Sequence, residues 1–418
     1  MELACLILFV GMVWPEASCF SQEVPAFFMG KGTTGEKPQA KVWFHNGFWW
    51  CLLPDTQDGQ TGLRIHRLHN GRWDAVGEVV DPREEAQVDV LSDGNRLFVL
   101  IFHPDAARFA AYHFDQPSEQ YILDPEYPVS LAPLPASGIE TMSLRRDGKG
   151  RFWALFEGEV DGTTGRGDIW AIWSDEGLSW QLSGLRLGRN VDPDDIATLC
   201  QFALRGSGYV GAIWSQQSAN PSVHRDSAGV GRLLMRLHKD GEPPDRWSPV
   251  EEIASGQALA DDHLNTAVAR DGSIYLVTKT SLDDLKPKEK NAPMLMLYAR
   301  NPNGKWSRQA VSDSEERGTR PIVVLDDPKG ILNVFYTRPG TGEKSERVIV
   351  RRWTDRTHLK FSEPEVVISH PGWHLNDATS THQAVTADSG LMVMCWGQSL
   401  KKETPNGVFF RLYSLESG

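Results

Sequence analysis

The chain has 418 residues, a formal net charge of -12, 23% charged and 40% hydrophobic residues, 38 glycines and 15 tryptophans. This balance excludes a disordered chain and speaks against nucleic-acid binding, because no basic run interleaved with aromatics is present to replace phosphate counterions. Length alone allows two or three domains, whereas the repeat described below argues for one.

Residues 2–14 are apolar yet too short to span a bilayer comfortably, and small residues follow at Ala17, Ser18 and Ser21. Residues 1–21 therefore read as a signal peptide, although the first basic residue is Lys31, and the protein is expected to be secreted or periplasmic. Cys19 invites a lipoprotein reading, which Glu16 opposes because the lipid-attachment motif takes an aliphatic residue there. No later segment is apolar enough to be transmembrane. Residues 22–36 hold an apolar piece at 24–29 followed by a linker, and a repeated region fills 37–418. Cys51, Cys200 and Cys395 sit in apolar contexts, where buried free thiols are expected.

From residue 37 one unit recurs seven times. Each opens with a short run and a tight turn, at 45–47, 92–94, 146–148, 205–208, 270–272, 327–330 and 387–390. Gly, Asn and Asp at these turns tolerate the positive φ that hairpins demand. Apolar second runs follow at 48–53, 97–102, 152–156, 209–214, 274–277, 331–336 and 391–396. Third runs lie at 63–68, 109–114, 168–173, 232–237, 294–298, 347–353 and 408–413. Fourth runs open near Trp73, Tyr121, Trp180, Trp247, Trp306 and Phe361, and the seventh unit lacks one. The pattern predicts an all-β protein, a seven-bladed β-propeller of four-stranded antiparallel blades, with residues 24–29 closing the ring in the last blade. Insertions at 157–167, 216–230 and 281–292 are expected as loops on one rim.

A propeller gathers ligands at the channel mouth, reached by residues at or just before each inner strand. These positions are Gln39 and Lys41; Glu84 and Glu85; Glu140; Asp194 and Asp195; Asp261, Asp262, His263 and Asn265; Arg320; and Asp377, Thr381, His382 and Gln383. Carboxylates beside histidines and cations are what acid/base work on a sugar requires. In that reading His263 is the base or acid, Asp262 orients it, and Glu140 or Asp195 is the carboxylate partner. Arg320 with Lys41 or Lys279 would clamp a uronate-like acid, while Gln39, Asp261, Asn265, Thr381, His382 and Gln383 would contact substrate. Tyr336 is an additional donor if its strand bends inward, and otherwise a half-buried strand residue.

Two other readings stay open: Asp, His and Asn tie neighbouring inner strands by hydrogen bonds around a wet channel, or side chains plug it. No cofactor or metal is expected, although Asp192-Pro193-Asp194-Asp195 is either a solvated turn or a Ca²⁺ loop. Serine-hydrolase elbows, phosphate-binding glycine loops, H-E-x-x-H and paired C-x-x-C motifs are absent from the sequence. The expected partner is a glycan or polysaccharide, bound by a monomer either catalytically or as a binding module.

Three resemblances bear on these expectations. Asp175-Glu176-Gly177-Leu178-Ser179-Trp180 resembles the centre of the Asp-box of sialidase-like propellers, with Trp173 in place of the usual leading Ser; such boxes build turns on the outside of blades. A sialidase would also bring three arginines to one carboxylate, and Arg320 alone stands at a suitable inner position. The segments at 37–43, 261–265, 278–280, 319–326 and 376–383 resemble signature blocks of a group of exported bacterial propellers of unestablished activity, which implies secretion and the fold. Asp261-Asp262-His263-Leu264-Asn265 is also similar to a block of ulvan-type propeller polysaccharide lyases, where the His serves in proton transfer.

Overall fold

The computed structural model describes residues 20–21, 25–35, 38–57, 59–104, 106–159, 166–217, 229–285, 290–342, 346–401 and 404–415. Strands in sequence order make up six sheets, one of them eight-stranded. The first contains Val42–His45, Phe48–Gln57, Gln60–His69 and Arg72–Asp81, and the second Gln87–Asp93, Arg96–His103, Ala106–Asp115, Gln120–Leu123 and Val129–Ser130. The third has Met142–Arg146, Phe152–Glu159, Gly167–Ser174 and Gln181–Val191, and the fourth Ala197–Leu204, Ser207–Gln216, Val230–Lys239 and Glu251–Gln257. The fifth has Leu264–Val268, Ile274–Lys279, Pro293–Arg300 and Trp306–Asp313. The eight-stranded sheet joins Thr319–Asp326, Ile331–Pro339, Arg347–Asp355 and Glu365–Ile368 to Trp373–Thr379, Leu391–Ser399, Gly407–Tyr413 and Phe20–Ser21. A parallel pairing of Arg347 with His374 links its two halves.

Six of the sequence-predicted turns join a first strand directly to a second, as Val42–His45 to Phe48–Cys51 across Asn46 and Gly47, whose φ values are 51° and 80°, whereas in the seventh unit residues 380–390 separate the paired strands Trp373–Thr379 and Leu391–Ser399. The fourth strands depart from expectation where proline follows the opening aromatic. Ladder pairing resumes at Glu251 after Pro249 and at Glu365 after Pro364, because proline has no N–H to donate. In the second sheet Pro125 and Pro128 split the fourth run, and Gln120–Leu123 and Val129–Ser130 both pair with the third strand.

Apolar faces of neighbouring sheets share buried clusters. Trp43, Trp50, Val99 and Ala110 join the first and second sheets; Trp153, Leu155, Ala212 and Trp214 join the third and fourth; Tyr275, Val277, Val334 and Tyr336 join the fifth and sixth. Each such fully buried large side chain contributes about 1.5–3 kcal/mol of transfer free energy. Cys51, Cys200 and Cys395 are free, buried thiols, and burial pushes Cys200 up to about 12.

The amino-terminal segment lies against the last strand. Phe20 and Ser21 pair with Leu412 and Arg411; Ala26 N donates to Val408 O at 2.7 Å and Met29 N to Asn406 O at 2.9 Å. Val24 and residues 1–19, which include nearly all of the leader, lie outside the described residues, as do 160–165, 218–228 and 286–289 within the predicted insertions. The sole helical element among the described residues is the 3-10 turn Leu282–Asp284, and no helix there is long and apolar enough to cross a membrane.

The segment 175–180, expected to form a turn, joins the last two strands of the third sheet. Ser174 Oγ accepts from Gly177 N at 2.8 Å and donates to Ser179 O at 2.6 Å, and Trp180 Nε1 donates to Gly177 O at 2.9 Å. Gly177 has φ +88°, and a Cβ there would sit 2.8 Å from the Phe109 ring. These contacts build a turn, with Ser174 acting one position after the motif's usual serine.

Candidate functional site

The first strands of successive sheets pack against one another, and buried polar side chains occupy the space between them. Asp89 is fully buried and accepts from Ala40 N at 2.8 Å and Leu144 N at 2.7 Å, with Arg145 Nη1 at 3.3 Å. His382 Nε2 stands 3.3 Å from the other side of this carboxylate. Burial alone would raise the Asp89 carboxyl, yet His382 and the charge of Arg145 hold it below the ordinary value. Burial, with Arg145 adding to it, keeps His382 below its ordinary value. Lys41 Nζ donates to Gln39 Oε1 at 3.0 Å, and Gln39 Nε2 reaches across to Met142 O at 2.8 Å. A cavity of about 120 Å³ remains beneath, lined by Arg145, Cys200, Thr266, Thr381, His382 and Gln383. Gln383, in the connection that follows Trp373–Thr379, accepts at Oε1 from Phe44 N at 3.0 Å.

A second polar cluster occupies the start of the fifth sheet. His263 Nδ1 lies 2.5 Å from Asp261 Oδ1 and also contacts Asp262 Oδ1. Asp261 Oδ2 accepts from Lys279 Nζ at 2.7 Å and from Ser281 Oγ at 2.9 Å. Burial opposes ionisation of Asp261, but the charge and hydrogen bond of His263 and the charge of Lys279 outweigh it and hold the carboxyl well below its usual range. The same carboxylate holds Lys279 above its ordinary value against the effect of burial. Ligand atoms of Asp261, Asp262 and His263 fall within 4.8 Å of one another, a spacing that can receive a divalent cation, although Lys279 already neutralises Asp261.

The other ring nitrogen of His263 connects this cluster to the next sheet. Nε2 stands 3.5 Å from Thr319 Oγ1, and the following residue, Arg320, places Nε 2.9 Å from Asp377 Oδ1. Arg320 and Asp377 both have left-handed backbone, φ +56° and +45°, at register shifts in their strands. Such bulges re-aim side chains, here turning two strand residues toward one another. Trp396 Nε1 holds the second Asp377 oxygen at 2.7 Å. Arg347 adjoins this pair, opposite His374 in the link between the half-sheets. Burial lowers the Arg347 guanidinium from its ordinary value, the charges of Arg320 and Arg317 lower it further, and Asp377 opposes them.

The arrangement thus brings together Asp261, Asp262, His263, Lys279 and, through Thr319, Arg320. Several other residues named from the sequence have contacts of a different kind. Asp195 is fully buried and accepts from Asp192 N, Ser215 Oγ and Gln217 N at 2.7, 3.0 and 2.9 Å, so its carboxylate builds the 192–195 turn and does not reach the mouth. Burial pushes its carboxyl well above the ordinary value. Glu140 donates its backbone N–H to Glu157 Oε1 at 2.8 Å; Glu157, overlooked in the sequence, is the fully buried carboxyl there, raised well above its ordinary value by burial. Lys41 is buried on the axis and Lys279 is spent on Asp261 and Asp283, so neither is placed as the partner of Arg320 in a clamp. Asn265 Oδ1 accepts from Val323 N at 3.0 Å, the strand-tying role. Tyr336 is fully buried between sheets, donating to Glu316 Oε2 at 2.6 Å, and not a mouth residue. Arg347 was missed because it belongs to a third strand, where the repeat offers no cue that a bulge next door brings the channel rim within reach.

No protein-family model and no curated protein matches the chain. Solved structures do. A protein of unknown function from Dyadobacter fermentans is 11% identical, with a TM-score of 0.51 over 95% of this chain and 99% of that one. The polysaccharide lyase Uly1 is 8% identical, with a TM-score of 0.51 over 90% of each chain. A six-bladed β-propeller fungal lectin from Aleuria aurantia aligns at 10% identity, TM-score 0.46, over 80% of this chain and 97% of that one. At such identities the first two likenesses concern the fold alone, over nine-tenths of the chain or more.

Proposed function

We propose that the chain is a secreted, seven-bladed propeller that acts on a glycan at the rim of its channel, by hydrolysis or β-elimination. The blade count treats the two halves of the eight-stranded sheet as separate blades, and the hydrogen bonds of residues 26–29 to the last strand support ring closure from the amino terminus. One observation carries the catalytic reading: His263 is buried, backed at Nδ1 by Asp261 and Asp262, and leaves Nε2 toward Thr319 and the Arg320–Asp377 pair. An imidazole fixed by carboxylates at one nitrogen gives or takes a proton at the other. The likeness to a polysaccharide lyase is of fold alone, and it makes a glycan the first substrate class to test.

A non-catalytic glycan-binding propeller is the second reading. It is favoured by Asp195, which is consumed by its own turn and leaves His263 without that carboxylate as a second proton-transfer group. The protein should be screened against acidic and neutral polysaccharides, following new reducing ends and the absorbance of unsaturated products, with His263→Ala alongside. Products lost in the variant support the enzyme. Retention of a glycan without products supports the binding module and removes the catalytic role from His263.

A further inference from the structure

Among the described residues, the guanidinium groups beside Asp377 carry more positive charge than that one carboxylate balances. Asp377 gives one oxygen to Arg320 and the other to the Trp396 indole. Arg347 is half-buried beside them, and no hydrogen bond or ion pair to a described residue engages its side chain. Arginine does not shed its proton at any physiological pH, so a partly desolvated guanidinium facing other arginines is a cost the fold retains. The lowering of Arg347 by burial and by Arg320 and Arg317 expresses the same repulsion. Arg320 itself is held in a left-handed conformation that a non-glycine residue adopts only at a cost in strain.

Resting on the reading of this rim as a glycan site, we propose that Arg320 and Arg347 form an oxyanion receptor, taking a carboxylate or sulfate group of an acidic sugar. A planar guanidinium matches either oxyanion with two parallel N–H donors, and the incoming charge removes the repulsion between the two arginines. Because Thr319 lies between Arg320 and the Nε2 of His263, an acidic group seated here puts its own sugar ring next to the imidazole. Arg347 thereby takes the clamp role expected of Lys41 or Lys279. It acts as a binding and specificity residue, not a proton carrier.

The test is affinity electrophoresis of the full chain through polygalacturonate, carboxyl-reduced polygalacturonate, dextran sulfate and dextran, at roughly 0.15 M salt so that long-range charge effects are screened. At least one charged polymer should bind about tenfold or more tightly than its uncharged counterpart, and Arg347→Gln should lose about tenfold, the usual consequence of removing a charge-assisted hydrogen bond. Arg347→Lys should fall between. A preference for polygalacturonate assigns a carboxylate, and one for dextran sulfate assigns a sulfate. Equal binding of charged and uncharged polymers overturns the receptor, as does Arg347→Gln binding like the unmodified protein. An unchanged or higher melting temperature of Arg347→Gln shows that loss of binding is not loss of fold. Should His263→Ala lose turnover while Arg347→Gln binds normally, the glycan-processing reading survives and the receptor falls; tight Arg347-dependent binding without turnover does the reverse.

Discussion

Asp89 on the axis and Asp377 on the rim are both carboxylates held against an arginine, but their surroundings are finished differently. Asp89 takes two backbone amides, Arg145 and His382, and no solvent reaches it. Asp377 has Arg320 and Trp396, and beside it the Arg347 side chain makes no hydrogen bond or ion pair with a described residue, with the charge of Asp377 offsetting only part of the repulsion from Arg320 and Arg317. Asp89 locks first strands to one another through its bonds to the Ala40 and Leu144 amides, while His382 Nε2 stands within ion-pair distance without a hydrogen bond. At the rim, in the proposed reading, the arginines hold charge that the described residues do not pair, which is where an anionic ligand would gain most. The same reading separates the two histidines named from the sequence, His382 beside buried Asp89 and His263 at the proposed site.

Removing Asp89 should break the axis with the largest effect. Asp89→Ala strands Arg145 in the interior, and urea unfolding should show a loss of about 3–5 kcal/mol. A loss under about 1 kcal/mol would mean that the axis is wetter than its contacts indicate. At the rim, Asp261→Asn should cost less, about 1–3 kcal/mol, because Lys279 keeps Asp283 and the mouth is nearer to solvent.

Acid should act on the axis before it acts on the rim. The folded state holds His382 below its ordinary value, so the unfolded chain takes the proton first as pH falls through about 6.5, and stability declines from there down to the lower folded value. His45 and His238, also held down chiefly by burial, add the same sign. Thermal melts between pH 7 and 5 should therefore slope downward, and His382→Gln should flatten the slope without abolishing it. Asp89 and Asp261 are held below their ordinary values, so their contribution is present above about pH 3.9 and disappears as pH falls through the folded values. The smallest effect belongs to Arg347→Gln, which relieves repulsion and should leave stability unchanged or raise it by up to about 0.5 kcal/mol. A clear loss of stability would show that Arg347 is part of the packing.

The repeat was legible because hairpin chemistry is local: Asn46-Gly47 and its counterparts mark turns whatever surrounds them. Fourth strands were less so, since Pro249 and Pro364 shift the start of pairing away from the aromatic that advertises it. At the site, Asp262, His263 and Arg320 were readable from position in the unit. The contacts of Asp195 were not readable, because a carboxylate that faces a channel and one that folds back onto its own turn look identical in sequence. Arg347 was invisible for a different reason: its role depends on left-handed backbone at Arg320 and Asp377, which neither residue type announces.

The most direct test compares one substitution on each side of the boundary. With the glycan identified by the polysaccharide screen, kcat/KM should be measured for His263→Ala and His382→Ala. Loss of about a hundredfold or more at His263, with His382→Ala within a few-fold of the unmodified protein once folded, is the predicted result. Equal losses, or a larger one at His382, would place the chemistry on the axis and contradict the assignment of the rim as the working surface.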